Sequence, residues 1–234
     1  MTTEQAHRSP PVQWRPPSSQ RFPPFSTALI VVCVLMYALE QLVPQLATST
    51  LPSGEVVGVP RLALNGILVA LGQWWRVPGS VLEHGGPIHL LFNMSVVYSL
   101  GMQLERELGT ARFAAISVVT ALGGSAMVLW LDFTQTTVGA SGMILGWAGA
   151  ILPIANQQAR KSLGVWLLQI AVISLLPFVS WTGHLGGFLA GLACGFLLRG
   201  GRKVFWTVIP ALAACVAGVC ALAVRRGAMM NGLW

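Results

Sequence analysis

The chain opens with a polar, proline-rich stretch of about 24 residues and then turns almost continuously apolar. Apolar runs recur at about 25–43, 87–104, 111–131, 138–155, 163–180, 182–199 and 204–224, separated by short polar connections. At 1.5 Å of rise per residue, about 20 residues of helix cross roughly 30 Å of hydrocarbon. The pattern therefore predicts seven membrane-spanning helices, the shorter ones shielded by neighbours or by local thinning of the bilayer. The long connection 44–86 holds one more apolar run, RLALNGILVALGQWWR, bounded by Arg61 and Arg76 and interrupted by Gly66 and Gly72. It is too short for an eighth span. It predicts a structured element lying partly in the interface and anchored by Trp74 and Trp75. Residues 1–24, with Pro10, Pro11, Pro16, Pro17, Pro23 and Pro24, read as a disordered tail, too long and polar for a cleavable signal peptide.

Composition agrees with a lipid solvent. Of the 234 residues 54% are hydrophobic and 9% charged, against roughly 25% charged in a soluble domain. No room is left for a separate soluble domain. The net charge of +7 does not predict a nucleic-acid partner, because the basic residues are scattered through the connections instead of forming one patch. They set an orientation instead. With the N-terminus cytoplasmic, ten of the 14 Lys and Arg fall on the inner side and four (Arg61, Arg76, Arg225, Arg226) on the outer, the bias of the positive-inside rule. Cys33, Cys194, Cys215 and Cys220 all lie in apolar runs and read as small buried hydrophobes. No spacing suggests a metal site, and no cofactor is implied.

Polar side chains inside a membrane are costly and mark function. In this orientation spans two, four and six run inward from the outer face. His89 and Asn93 lie early in span two, Ser141 early in span four and His184 early in span six. Their matched depth predicts one wet cavity opening outward. His89 and Asn93, four apart, share a helix face. Gly139, Gly142, Gly146 and Gly149 form a small-residue stripe in span four, as do Gly187, Gly191 and Gly195 after His184. Such stripes let membrane helices approach closely, which a serine on one helix needs to reach a histidine on another.

The motifs resemble one family. Gly139-Ala140-Ser141-Gly142 is similar to the GxSG nucleophile motif of the rhomboid proteases, and His184 with Gly187 and Gly191 to their H-x-x-G-x-x-x-G helix. His84, His89 and Asn93 resemble the H-x4-H-x-x-x-N segment opening their second helix. Trp75-Arg76 resembles the Trp-Arg pair of their long first loop, and Gly101, Glu105 and Gly109 their G-x3-E-x3-G run. The resemblance covers residues from about 25 to 199. It departs at Leu145, where rhomboids often carry an aromatic four residues after the serine.

The resemblance implies an all-α fold with a six-helix catalytic core at 25–199 (external loop 44–86), to which residues 200–234 add a seventh helix and tail. It implies an integral membrane protein, with a bacterial inner membrane as the expected location. It also implies an intramembrane serine endopeptidase in which Ser141 is the nucleophile and His184 the base, with no carboxylate partner. The oxyanion donors would be the Ser141 backbone N–H, His89 and Asn93. Trp75, Arg76, His84, Glu105, Gly139, Gly142, Gly187 and Gly191 would support the structure. The expected partners are the bilayer and transmembrane protein substrates. Two alternatives stay open: a catalytically silent protein binding membrane helices, and a peptidase dedicated to C-terminal sorting tags. A solute transporter would show related repeats in its two halves, and the sequence has none.

Overall fold

A computed structural model describes residues 22–176 and 179–233. Almost all of the expected N-terminal tail lies outside the described residues, as do Pro177 and Phe178 of the expected fifth span. The described chain runs α1 (Pro24–Leu42), a 3₁₀ turn (Pro44–Ala47), β1 (Ser49–Thr50), β2 (Val56–Val57), α2 (Gly66–Ala70) and α3 (Arg76–Gly79). It continues through α4 (Pro87–Val96), a π-helical turn (Val97–Gly101), α5 (Met102–Leu108), α6 (Thr110–Leu131), α7 (Ser141–Ile151), α8 (Gln157–Ile173), α9 (Trp181–Arg199) and α10 (Gly201–Met230). This is the all-α membrane helix bundle that the pattern predicts. The seven apolar runs correspond to α1, the continuous α4–α5 rod, and α6 to α10. By length and composition α1, α6, α9 and α10 are each able to cross a membrane. Of the four, α6 is the most enclosed, with 56% of its apolar window buried against 17% in α1.

Local chemistry moves two boundaries away from the apolar runs. Span four, expected over 138–155, is helical only over 141–151. Gly139 has φ +113°, which no helix allows, and Pro153 offers no N–H to continue the ladder. The resulting helix is about 16 Å long and sits inside the bundle, with Met143 to Ala150 all buried. Span five, expected over 163–180, is helical over 157–173. Asn156 caps it, its side chain accepting from the Ala159 N–H at 2.8 Å, so the polar Gln157–Ser162 segment forms the first turns.

The connection 44–86 contains no span. A two-residue antiparallel pair, Ser49 with Val57 and Thr50 with Val56, was not expected from the sequence. The fully buried Arg76 holds the segment together. Its guanidinium donates to the Pro60 and Ala63 carbonyls, each at 2.7 Å, to Gln73 Oε1 at 2.8 Å, and to Ser49 Oγ. Burial pulls the Arg76 pKa below its ordinary value, and the Glu83 carboxylate opposes this. Trp74 and Trp75 stay about half exposed.

Glu105 does similar work within the bundle. Its carboxylate accepts from the backbone N–H of Phe25 at 2.9 Å and of Ser26 at 2.8 Å, and from the Ser26 and Thr110 hydroxyls, each at 2.8 Å. These are orphan donors in the first turn of α1, which has no side-chain cap of its own. A side chain about 80 positions away thus caps the first helix.

Glycine sets the approach of α7 and α9. A Cβ on Gly187 would strike the Gly142 carbonyl, and one on Gly191 the Gly146 carbonyl. On a neighbouring face of α9, Gly186 lies against the α6 backbone at Gly123. The seventh helix is no appendage. Its Cys220, Ala223 and Val224 pack with Leu64, Val69 and Val77 of the long connection and with Val128, Leu129 and Phe133. Arg226 donates to the Trp130 carbonyl at 2.9 Å, with its guanidinium 5.1 Å from that ring's centroid, a cation–π distance. Cys33, Cys194 and Cys220 are buried as expected; Cys215 is exposed on α10, contrary to expectation.

Candidate active site

Ser141 is the first residue of α7, and the positive φ of Gly139 turns the chain into that helix. The turn is held where the Gly139 N–H donates to the Ser80 carbonyl at 2.8 Å. The extended segment before it is tied down by the Leu64–Thr137 bridge. At a helix start the first backbone N–H groups have no intrahelical acceptor, and the helix dipole adds partial positive charge there. Ser141 presents its N–H in that position.

His184 stands in the first turn of α9. Ser180 caps this helix, its hydroxyl accepting from the Gly183 N–H at 3.2 Å. Thr182 donates to the Asp132 carboxylate, which ties α9 to the end of α6. Because the glycine stripes bring α7 and α9 together, His184 Nε2 lies 2.8 Å from Ser141 Oγ. No carboxylate touches the imidazole among the described residues. Its other nitrogen, Nδ1, lies 2.6 Å from Ser174 Oγ. The sequence reading missed Ser174; the available signal was a hydroxyl inside an apolar run.

The ring of His89 lies over Gly139. A Cβ there would come within 2.6 Å of His89 Cε1 and 2.8 Å of Nε2, so Gly139 is required both for its φ and for this close approach. Asn93 is buried one turn further along α4, where its amide donates to the His89 carbonyl at 2.9 Å. The His84 ring centroid is 5.2 Å from that of His89. Both His84 ring nitrogens are buried without a hydrogen-bond partner among the described residues. Burial, and secondarily the neighbouring His89, push the His84 pKa down to about 4, so its ring is neutral at physiological pH.

A small cavity of about 30 Å³ is lined by Gly139, Ser141, Gly142, His184 and the hydroxyl-bearing Ser80 and Ser180, among others. That is room for water. His89 and Asn93 are not among its lining residues. A larger groove of about 220 Å³, lined by Gly123, Met127, Trp130, Gly186, Val216 and Val219 among others, is almost entirely apolar and offers no chemistry. The structure therefore brings Ser141, His184, Gly139 and Gly142 together, sets His89 over Gly139, and holds Asn93 behind His89. Arg76 and Glu105 are engaged elsewhere, in the loop and at the start of α1.

Comparison with known proteins matches the Rhomboid domain to residues 71–201. RHOMBOID-like protein 5 of Arabidopsis thaliana is 38% identical over 147 residues, covering 58% of this chain and 48% of that protein. RHOMBOID-like protein 6, mitochondrial, of the same plant is 37% identical over 133 residues, covering 53% and 43%. Rhomboid protease GluP of Bacillus subtilis (strain 168) is 31% identical over 132 residues, covering 53% and 26%. The chain spans less than half the length of each of these relatives. With the matched domain covering more than half of this chain and both Ser141 and His184 inside it, the protein is a member of the rhomboid family.

Proposed function

We propose that this chain is an intramembrane serine endopeptidase acting on the transmembrane segments of single-span membrane proteins, with residues 25–199 as its catalytic core. The observation that carries the reading is the 2.8 Å contact between Ser141 Oγ and His184 Nε2. The word protease in the name of the Bacillus relative supports it. In this reading Ser141 Oγ attacks the scissile carbonyl carbon as its proton passes to Nε2. The C–N bond then breaks as the protonated Nε2 returns that proton to the leaving amine. Water hydrolyses the acyl-enzyme ester by the same route. The Ser141 N–H at the α7 start faces the developing oxyanion, with His89 and Asn93 as side-chain donors. The site opens on the outer side of the membrane, opposite the N-terminus.

The test is covalent. A fluorophosphonate probe added to detergent-solubilised protein should label Ser141, and Ser141→Ala should abolish both labelling and cleavage of a single-span reporter while leaving the thermal transition unchanged. Undiminished proteolysis by that variant would sink the mechanism. A correctly folded wild type that neither labels nor cleaves would instead favour a helix-binding protein.

A further inference from the structure

In a triad, a buried aspartate holds the histidine in its productive tautomer and steadies the imidazolium that forms. No carboxylate contacts His184 among the described residues, yet its Nδ1 is not left open. Ser174 Oγ lies 2.6 Å from it, and the same oxygen lies 2.7 Å from the Ile170 carbonyl. Ser174 is the residue that ends α8 and is itself buried. Ile170 is the one buried residue of that helix. Four apart, they share a helix face, so the inward edge of α8 ends on the imidazole.

Counting hydrogens decides the roles. A neutral imidazole carries one N–H and one lone pair, and a serine hydroxyl has a single hydrogen. If Nδ1 bears the proton, Nδ1–H donates to Ser174 Oγ, Ser174 Oγ–H donates to the Ile170 carbonyl, and Ser141 Oγ–H donates to Nε2. All three donors are used. If Nε2 bears the proton, Ser174 must turn its only hydrogen to Nδ1. The side-chain bond to Ile170 is then lost, and the Ser141 hydroxyl hydrogen has no acceptor in the chain of contacts. The first arrangement makes one more hydrogen bond, and it is the one in which Nε2 can accept the proton of Ser141.

We infer that Ser174 is a positioning residue for His184, selecting the Nδ1–H tautomer through its hydroxyl and the Ile170 carbonyl. The inference rests on the protease reading for its kinetic consequence, but the tautomer is a property of the folded chain alone. When Nε2 takes the proton from Ser141, the Nδ1–H bond to Ser174 stays in place, so no group has to reorganise.

The test compares Ser174→Thr with Ser174→Val in the full chain, because the two side chains match in volume and differ by the hydroxyl. Ser174→Val should lower kcat on a single-span reporter, and the rate of fluorophosphonate labelling at Ser141, by about tenfold with KM unchanged, the effect of one hydrogen bond. Ser174→Thr should restore both. With histidine ¹⁵N-labelled, the His184 ring in wild type and Ser174→Thr should show a protonated Nδ1 and an unprotonated Nε2. In Ser174→Val the two signals should move towards each other as the tautomers mix. Unchanged rates and ring signals in Ser174→Val would overturn the proposal, as would a Ser174→Thr as impaired as Ser174→Val. A wild type that neither labels nor cleaves would defeat the protease reading, and the ¹⁵N signals would still decide the tautomer.

Discussion

Asn93 and His84 lie on either side of His89, and the structure treats them differently. Asn93 gives one amide hydrogen to the His89 carbonyl, and in the proposed mechanism its second is the one offered to the oxyanion. Asn93→Ala should slow cleavage by roughly 10²–10³ while leaving the thermal transition within a few degrees of wild type. A collapse of the fold alongside the rate would mark it as a packing residue instead. His84 is a burial problem: two ring nitrogens enclosed without partners among the described residues. Its pKa in the folded chain is about 4, against an ordinary 6.5. Lowering the pH from 6.5 to 4 therefore protonates the unfolded chain before the folded one, and stability falls across that window and levels off below it. His84→Met should remove this part of the acid sensitivity without lowering stability at pH 8, as thermal unfolding in detergent at several pH values would show. An identical pH dependence in that variant would mean that other groups dominate. His84, His89 and Asn93 were legible as motif residues because their spacing is local. The place of Ser174 was not, because a hydroxyl inside an apolar run does not by itself say which side chain it meets.

Among the elements, α7 and α9 bring Ser141 and His184 together by touching backbone to backbone. Gly191→Val would drive two branches into the Gly146 carbonyl, so the helices must separate. The expected result is a loss of several kcal/mol in stability together with loss of Ser141 labelling, although Gly191 lies two turns below His184. Gly164→Ala on α8 is the control. A Cβ there meets nothing within 4 Å, and replacing a helical glycine by alanine should be neutral or stabilising by up to about 1 kcal/mol. Equal damage from both substitutions would remove the packing argument. The glycine stripes were readable in the sequence as a period of three and four. The length of α7 was not, since hydropathy continues across 138–155 while the φ of Gly139 and the ring of Pro153 stop the helix.

For the molecule as a whole, the charge bias predicts orientation. A reporter fused after residue 203 should read as cytoplasmic, and one inserted within 45–60 as external. An external signal from the fusion after residue 203 would invert the bundle and the face on which the proposed site opens. In that predicted orientation the pair Arg225–Arg226 falls on the outer side, which is anomalous for a seventh span, but Arg226 is bonded to Trp130. Hydropathy, glycine spacing and motif order were enough to identify an all-α membrane bundle and to single out Ser141 and His184 as candidates, because each is written in neighbouring residues and in the average polarity of a segment. Other features join residues far apart in the chain: the Ser141–His184 contact spans 43 positions, the Glu105 cap on Ser26 79, and the Cys220 contact with Leu122 98. One-dimensional polarity reports whether a residue prefers lipid, water or protein. It cannot report which buried partner fills the remaining lone pair or hydrogen, and that depends on how the helices pack.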